Sequence, residues 1–262
     1  MKYISFTFDD GRKDNYDIAF PIMKSFDLSA TLFCTTGYID GSFRSEDWKS
    51  AEAPLTINEL KELKQSGWEI ALHGDCHTTN LQDSLSSKKK MEDWDLKEIS
   101  YGFSIPNSNA SVNDVSDIAN SGFISYIRKG RNTDTSTLFA KILFGLYTYL
   151  KSKKAYKKFN APNTNTLPLK NKYDICSLVI RRGDNPKFIS DFIKAIPDNT
   201  WTVFMFHSIL PKANEKYNAD PWTYSDVSFE KICAEMKQLQ NENICKVVTM
   251  QDMIKGGQKC SD

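Results

Sequence analysis

Histidine is the scarcest chemistry-bearing residue in this chain, with three among 262 residues: His73, His77 and His207. Long apolar runs are missing as well. No stretch reaches the about 18 residues that a membrane-spanning helix requires, which excludes an integral membrane protein of the helical kind. Neither sign of charge is in excess: 34 Lys and Arg face 33 Asp and Glu, leaving a formal net charge of +1. That excludes a global field drawing the chain to nucleic acid or to a membrane. The six cysteines (Cys34, Cys76, Cys176, Cys233, Cys245 and Cys260) show no CxxC spacing, which suits reduced thiols better than a disulfide framework. No basic and apolar leader precedes the first strand-like run, so the expectation is a cytoplasmic protein. There is no internal repeat.

What is present fits a globular α/β protein. The composition is 40% hydrophobic and 26% charged, enough to bury a sizeable core, and it is read as one domain over residues 1–262. Runs rich in β-branched and aromatic residues at 3–8, 29–34, 68–73, 99–104, 123–127, 174–180, 201–207 and 245–249 are strand candidates. Helical spacing appears at 14–26, 56–66, 86–97, 113–121, 137–158, 187–196, 226–241 and 250–255. In "LTINELKELKQSG" a threonine cap precedes the apolar positions and Gly67 closes them. Strands alternating with helices predict a parallel sheet, and about eight of them favour a (β/α) barrel over an open sheet. One stretch, 128–172, is too long for an ordinary connection and reads as a helical insertion on the barrel. Within it, 137–158 is apolar and aromatic and ends in a lysine cluster. That pattern allows weak membrane-surface contact, although an insertion helix packed on the barrel explains it as well.

The chemistry gathers at strand ends. "TFDDG", Thr7 to Gly11, closes the first predicted strand with two adjacent carboxylates, Asp9 and Asp10. His73 and His207 each close a strand, and His77 follows in "HGDCH". In a parallel barrel these C-terminal ends form one rim, where active sites sit. Two adjacent carboxylates repel unless a cation lies between them. Two imidazoles four residues apart can share one ion if the segment begins a helical turn, and a carboxylate completes the set. Such a set leaves an open position for water; the second Asp would then be a base and His207 a proton donor. Cys76, between the two histidines, is expected to face away.

With those residues in place, the sequence resembles the polysaccharide deacetylase family, the NodB-homology domain of carbohydrate esterase family four. That family's first motif, T-F-D-D-G, is matched at all five positions. Its second, H-[ST]-x-x-H, is matched at His73 and His77, with Gly74 in the hydroxyl position. Its fifth, a hydrophobic residue and a spacer before His, is matched by Met205, Phe206 and His207. The resemblance covers residues 3 to about 250. It implies a distorted (β/α) barrel of seven or eight strands. It further implies that Asp10, His73 and His77 ligate a divalent metal, zinc in the first instance with cobalt or nickel as alternatives. Asp9 is then the base that activates water and His207 the acid.

The resemblance also implies the reaction: hydrolysis of an N-acetyl or N-formyl group on an amino sugar. For a cytoplasmic enzyme the substrate would be a nucleotide- or lipid-linked precursor of an envelope polysaccharide. Two family motifs depart from their pattern. In place of R-x-P-[FY]-G the chain has "SIPNS", with Ser104 where the arginine that orients the base would stand and Asn107 as a possible backbone donor to an oxyanion. The Asp and Trp of the fourth motif have no clean match; Arg182 and Asp184 in "IRRGDN" are the candidates to replace the missing groups, and Trp222 in "DPWTYS" offers a face for a sugar ring. These departures keep two alternatives open: an amidohydrolase on a small cyclic amide, and a catalytically impaired sugar-binding module of the same fold.

Overall fold

The computed structural model describes residues 1–130 and 164–257. In chain order the strands are β1 (Lys2–Asp10), β2 (Thr31–Cys34), β3 (Glu69–Leu72), β4 (Tyr101–Ser104), β5 (Ile124–Gly130), β6 (Asn165–Thr166), β7 (Ile175–Val179), β8 (Thr200–Phe206), β9 (Ser208–Leu210), β10 (Thr223–Ser225) and β11 (Cys245–Val247). The helices are α1 (Phe20–Ser25), α2 (Thr36–Asp40), α3 (Ile57–Gln65), α4 (Leu81–Asp93), α5 (Val112–Ala119), α6 (Pro186–Ala195), α7 (Asp226–Asn241) and α8 (Met250–Gly257).

β1, β2, β3, β4, β5, β7 and β8 pair side by side in parallel, and β8 pairs again with β1, so seven strands close a barrel with helices around it. The eighth sequence candidate, β11, is not a stave of its own. It pairs with residues 2–4 of β1, while β2 pairs with residues 7–10. This split edge distorts the barrel. The lysine-rich stretch at 137–158 and most of the insertion lie outside the described residues.

The two-residue period of each strand sorts side chains between two cores. Ile4, Phe6 and Phe8 of β1 join Phe204 and Phe206 of β8 in the outer core beneath the helices. Phe33, Ala71, Tyr126, Trp201 and Val203 form the second core, inside the barrel. The longest described helix, α7, buries Phe229, Ile232, Cys233, Met236 and Leu239 at helical spacing, and Phe229 packs edge-on against Phe206 with ring centroids 5.2 Å apart. The threonine cap at the start of α3 is a full capping box: Glu59 N donates to Thr56 Oγ1 at 3.3 Å and Thr56 N donates to Glu59 Oε2 at 2.9 Å.

Candidate metal centre and its flanking groups

Alternation along β1 turns Asp9 into the barrel mouth. The chain then bends: Asp10 has φ 78° and Gly11 φ 86°, both in the left-handed region. Glycine suits position 11 by conformation, since its φ lies where an L side chain is strained. The bend points Asp10 towards the histidines. Asp10 Oδ1 lies 3.6 Å from His73 Nε2 and 3.6 Å from His77 Nε2. Among the described residues, Asp10, His73 and His77 are the one group of three or more His, Cys, Asp or Glu whose donor atoms lie close enough together, all within 4.8 Å, to hold a metal ion. Donors arranged tetrahedrally around one zinc-sized ion stand about 3.4 Å apart, close to the two distances from Asp10 Oδ1 to the imidazoles.

The histidines are prepared for ligation. His73 Nδ1 lies 2.9 Å from the Ser104 carbonyl, which accepts the proton on Nδ1 and sets the ring with Nε2 towards Asp10. Burial, with His73 close by, pushes the His77 pKa down to about 4, so its ring is neutral near pH 7.

His77 does not reach the site through a helical turn, as its spacing suggested. Residues 74–77 form a loop, α4 starts only at Leu81, and His77 itself has φ 55°. The loop is folded around Asp83, in the first turn of α4. Its carboxylate accepts the N–H of Asp75 at 2.9 Å, Cys76 at 2.8 Å and Thr78 at 3.3 Å. Gly74 follows from this: φ is 80°, and an added Cβ would lie 2.3 Å from Asp83 Oδ2. A side chain at position 74, where the resembled motif carries a hydroxyl residue, would collide with the Asp83 carboxylate that organises the loop. Cys76 is exposed and outside the donor group.

Asp9 has a guanidinium partner that the sequence reading did not assign. Arg128 Nη2 donates to Asp9 Oδ1 at 2.5 Å and Oδ2 at 2.6 Å, and also to Ser104 Oγ. Arg128 lies over the Phe33 ring, 4.8 Å from its centroid, with its side chain 1% exposed. Burial alone would raise the Asp9 pKa; Arg128, helped by His73 and His207, holds it below the ordinary value. The strand was expected to end at residue 127, but β5 continues to Gly130. The signal was the alternation in "ISYIRKG", which puts Arg128 on the same face as Tyr126, inside the barrel. Asp10 has its own arginine. Arg12 Nε and Nη2 donate to Asp10 Oδ2 at 2.9 and 2.8 Å. Burial is outweighed there by Arg12 and the histidines, and the Asp10 pKa lies well below the ordinary value.

His207 follows β8 directly. Burial pushes its pKa down to about 4, opposed by the Asp10 and Asp9 charges. Its Nδ1 is buried with no hydrogen-bond partner among the described residues. Trp222 packs beside it with ring centroids 5.2 Å apart and a 40° tilt, and Arg181 covers the Trp222 ring at 4.8 Å. On the other flank Trp48 meets the His77 ring edge-on, centroids 4.9 Å apart. No spacing in the sequence links Trp48 to His77, so it was not singled out.

Two other candidates serve elsewhere. Arg182 is exposed and donates to the Tyr217 carbonyl at 3.0 Å. The Asp184 carboxylate accepts the Arg181 N–H at 2.9 Å within its own turn. The place at Asp9 for which Arg182 was a candidate is filled by Arg128. Asn107 is exposed on the same rim, in the short turn after β4, with φ 54°.

Similarities to known proteins agree with this geometry. Residues 1–110 match the sequence model of the polysaccharide deacetylase family. A putative polysaccharide deacetylase of Bacillus subtilis, YxkH, is 33% identical over 72 residues, which span 28% of this chain and 22% of that protein. Two solved structures share the fold across nearly the whole chain. The Xyl-CE4 domain of a multidomain xylanase from the hindgut metagenome of Trinervitermes trinervoides aligns with a TM-score of 0.52 and 13% identity, covering 97% of this chain and 90% of that one. A family 4 acetyl xylan esterase from Clostridium thermocellum, solved in complex with a cobalt ion, gives 0.53 and 11%, again over 97% and 90%. The matched residues 1–110 hold the "TFDDG" bend and both histidines of the three-donor group.

Proposed function

We propose that this chain is a metal-dependent hydrolase that removes an N-acetyl or N-formyl group from an amino sugar, and that residues 1–262 form one domain. The observation that carries the reading is the conjunction, on one barrel rim, of a three-donor cluster, a buried carboxylate held by Arg128, and His207. Asp10, His73 and His77 would hold the ion, zinc by the chemistry of two imidazoles and one carboxylate, with cobalt or nickel as alternatives. When bound, the ion supplies Lewis acidity towards an acyl carbonyl and towards water.

The chain's own groups do the rest. Asp9 accepts a proton from water as its oxygen attacks the acyl carbon. The carbon–nitrogen bond breaks, and the proton that Asp9 took from water passes by way of His207 to the departing amine, so that Asp9 is again a carboxylate, His207 is again neutral, and a carboxylic acid and a free amino sugar leave. His207 is neutral at rest, and the two carboxylates nearby favour its charged form when it takes up a proton. Arg128 keeps Asp9 ionised and aimed into the mouth. Asn107 is the candidate backbone donor to the oxyanion. Trp222 beside His207 and Trp48 beside His77 are the candidate apolar surfaces for a sugar ring or acyl group. The arginine at Asp9 favours an active enzyme over an impaired sugar-binding module, because Ser104 in the arginine position was the reason to suspect impairment.

Among the described residues no helix is long and apolar enough to cross a membrane. The five cysteines described are all free. They support a cytoplasmic location, which makes a nucleotide- or lipid-linked glycan precursor the proposed substrate, with no nucleic-acid partner. Metal per chain measured for the wild type and for His77→Ala tests the reading first. Near-stoichiometric zinc lost in the variant is expected. A folded wild type that takes up no divalent metal overturns the hydrolase. Turnover of N-acetylhexosamine derivatives, compared with that of cyclic amides, then tests the substrate class.

A further inference from the structure

Arg12 is a buried cation in direct contact with a proposed ligand, and the deacetylation scheme above leaves it unused. Its side chain is 1% exposed. Both Nε and Nη2 converge on a single oxygen, Asp10 Oδ2, while Oδ1 faces the two histidines. The third nitrogen, Nη1, donates to Ser50 Oγ at 2.7 Å and to Ser208 Oγ at 2.8 Å. Ser50 belongs to the segment that carries Trp48. That segment is fastened to the strand end from below: Lys13 N donates to the Ala53 carbonyl at 2.8 Å and Leu55 N to the Gly11 carbonyl at 3.0 Å. Asp220 accepts Ser50 N through Oδ2 at 2.9 Å and Trp222 N through Oδ1 at 2.9 Å. One chain of hydrogen bonds therefore runs from Asp10 through Arg12 and Ser50 to the two tryptophan-bearing loops.

We propose that Arg12 is a positioning residue that restricts Asp10 to one ligand oxygen and ties the Trp48 segment to the metal centre. The inference rests on the metal reading of Asp10, His73 and His77. Two bonds to Oδ2 fix the carboxylate plane and leave Oδ1 alone to face an ion. The planar guanidinium is needed because its three nitrogens diverge to Asp10 on one side and to the serines on the other. A lysine at this position keeps the charge but has one nitrogen and cannot span both. Partners that orient a ligand in this way typically contribute 10- to 100-fold to metal affinity.

The test uses the full chain with Arg12→Lys and, separately, Ser50→Ala, which leaves the Arg12 contacts to Asp10 intact. Zinc dissociation constants are read by competition with a chromophoric chelator. Quenching of Trp48 emission by bound cobalt is read by subtracting the same measurement on Trp48→Phe. Arg12→Lys should weaken zinc at least about tenfold. Ser50→Ala should hold zinc within about threefold of wild type yet lose much of the Trp48 quenching, as the segment parts from His77. Wild-type zinc affinity in Arg12→Lys, or wild-type quenching in Ser50→Ala, overturns the inference. If the lysine variant does not fold, Ser50→Ala decides by itself. A wild type that binds no zinc overturns the metal reading itself and appears before any variant is compared.

Discussion

Arg128→Met is the most incisive test of the arrangement around Asp9. The substitution nearly conserves length and removes the guanidinium that holds both oxygens of a carboxylate only 4% exposed. Breaking a buried ion pair from one side strands the other charge, which typically costs about 3–5 kcal/mol near neutral pH. Asp9→Asn should incur a cost of similar kind by stranding Arg128. The double variant Asp9→Asn/Arg128→Met strands nothing. It should be less destabilised than the sum of the singles, by at least about 2 kcal/mol. Urea unfolding with a chelator present measures all three without a contribution from bound metal. The pH dependence adds a second check.

In the wild type Asp9 has a folded-state pKa below the ordinary carboxylate value. Its contribution is present above the unfolded pKa and is lost as pH falls through the folded one. Without Arg128 burial dominates and the folded pKa rises above the unfolded value. The penalty is then full at pH above that raised pKa and shrinks as pH falls through it. The gap between wild type and Arg128→Met should therefore be larger at pH 8 than at pH 5. A cost under about 1 kcal/mol, additive singles, or a gap independent of pH would refute the reasoning.

Other expectations follow from single contacts. Asp14 is buried, and burial outweighs its bond from Ile209 N and the nearby Arg12, pushing its pKa up to about 7. Because the folded pKa exceeds the unfolded one, ionised Asp14 disfavours the fold increasingly as pH climbs from about 4 to 7. Asp14→Asn should stabilise the protein at pH 8 more than at pH 5, with a ceiling of about 4 kcal/mol; thermal melts at the two pH values check it. Gly74→Ala should lower stability by about 1–3 kcal/mol and weaken zinc binding, because its Cβ collides with the carboxylate that shapes the His77 loop. Asp83→Ala should weaken zinc about 10- to 100-fold by chelator competition, while Arg182→Ala should leave zinc affinity unchanged, since Arg182 bonds a carbonyl of the 215–218 turn.

Much of this was legible in the chain. Composition located the strands that form the barrel, because strands buried on both faces are runs of β-branched and aromatic residues, and helical spacing located the amphipathic helices between them. The placement of Asp9, His73 and His207 followed because all parallel strands end on one face. Position within a strand was less legible. Arg128 lay beyond the expected end of β5, and strand ends depend on pairing with neighbours; here residues 128–130 pair with β7.

By itself, the sequence determined the barrel and the rim, since those depend on local residue type and the alternation of strands with helices, and the motif resemblance named Asp10, His73 and His77, whose donor atoms the structure brings together. Only the tertiary structure decided which cation meets which carboxylate. Arg12 and Arg128 reach Asp10 and Asp9 through closure of the sheet, and Ser50 and Asp220 meet across 170 residues of sequence. It also decided that Asp83 rather than a hydroxyl shapes the ligand loop. Contacts of that kind arise between segments that no local pattern relates, where geometry of the closed barrel chooses among several chemically equivalent arginines and acids.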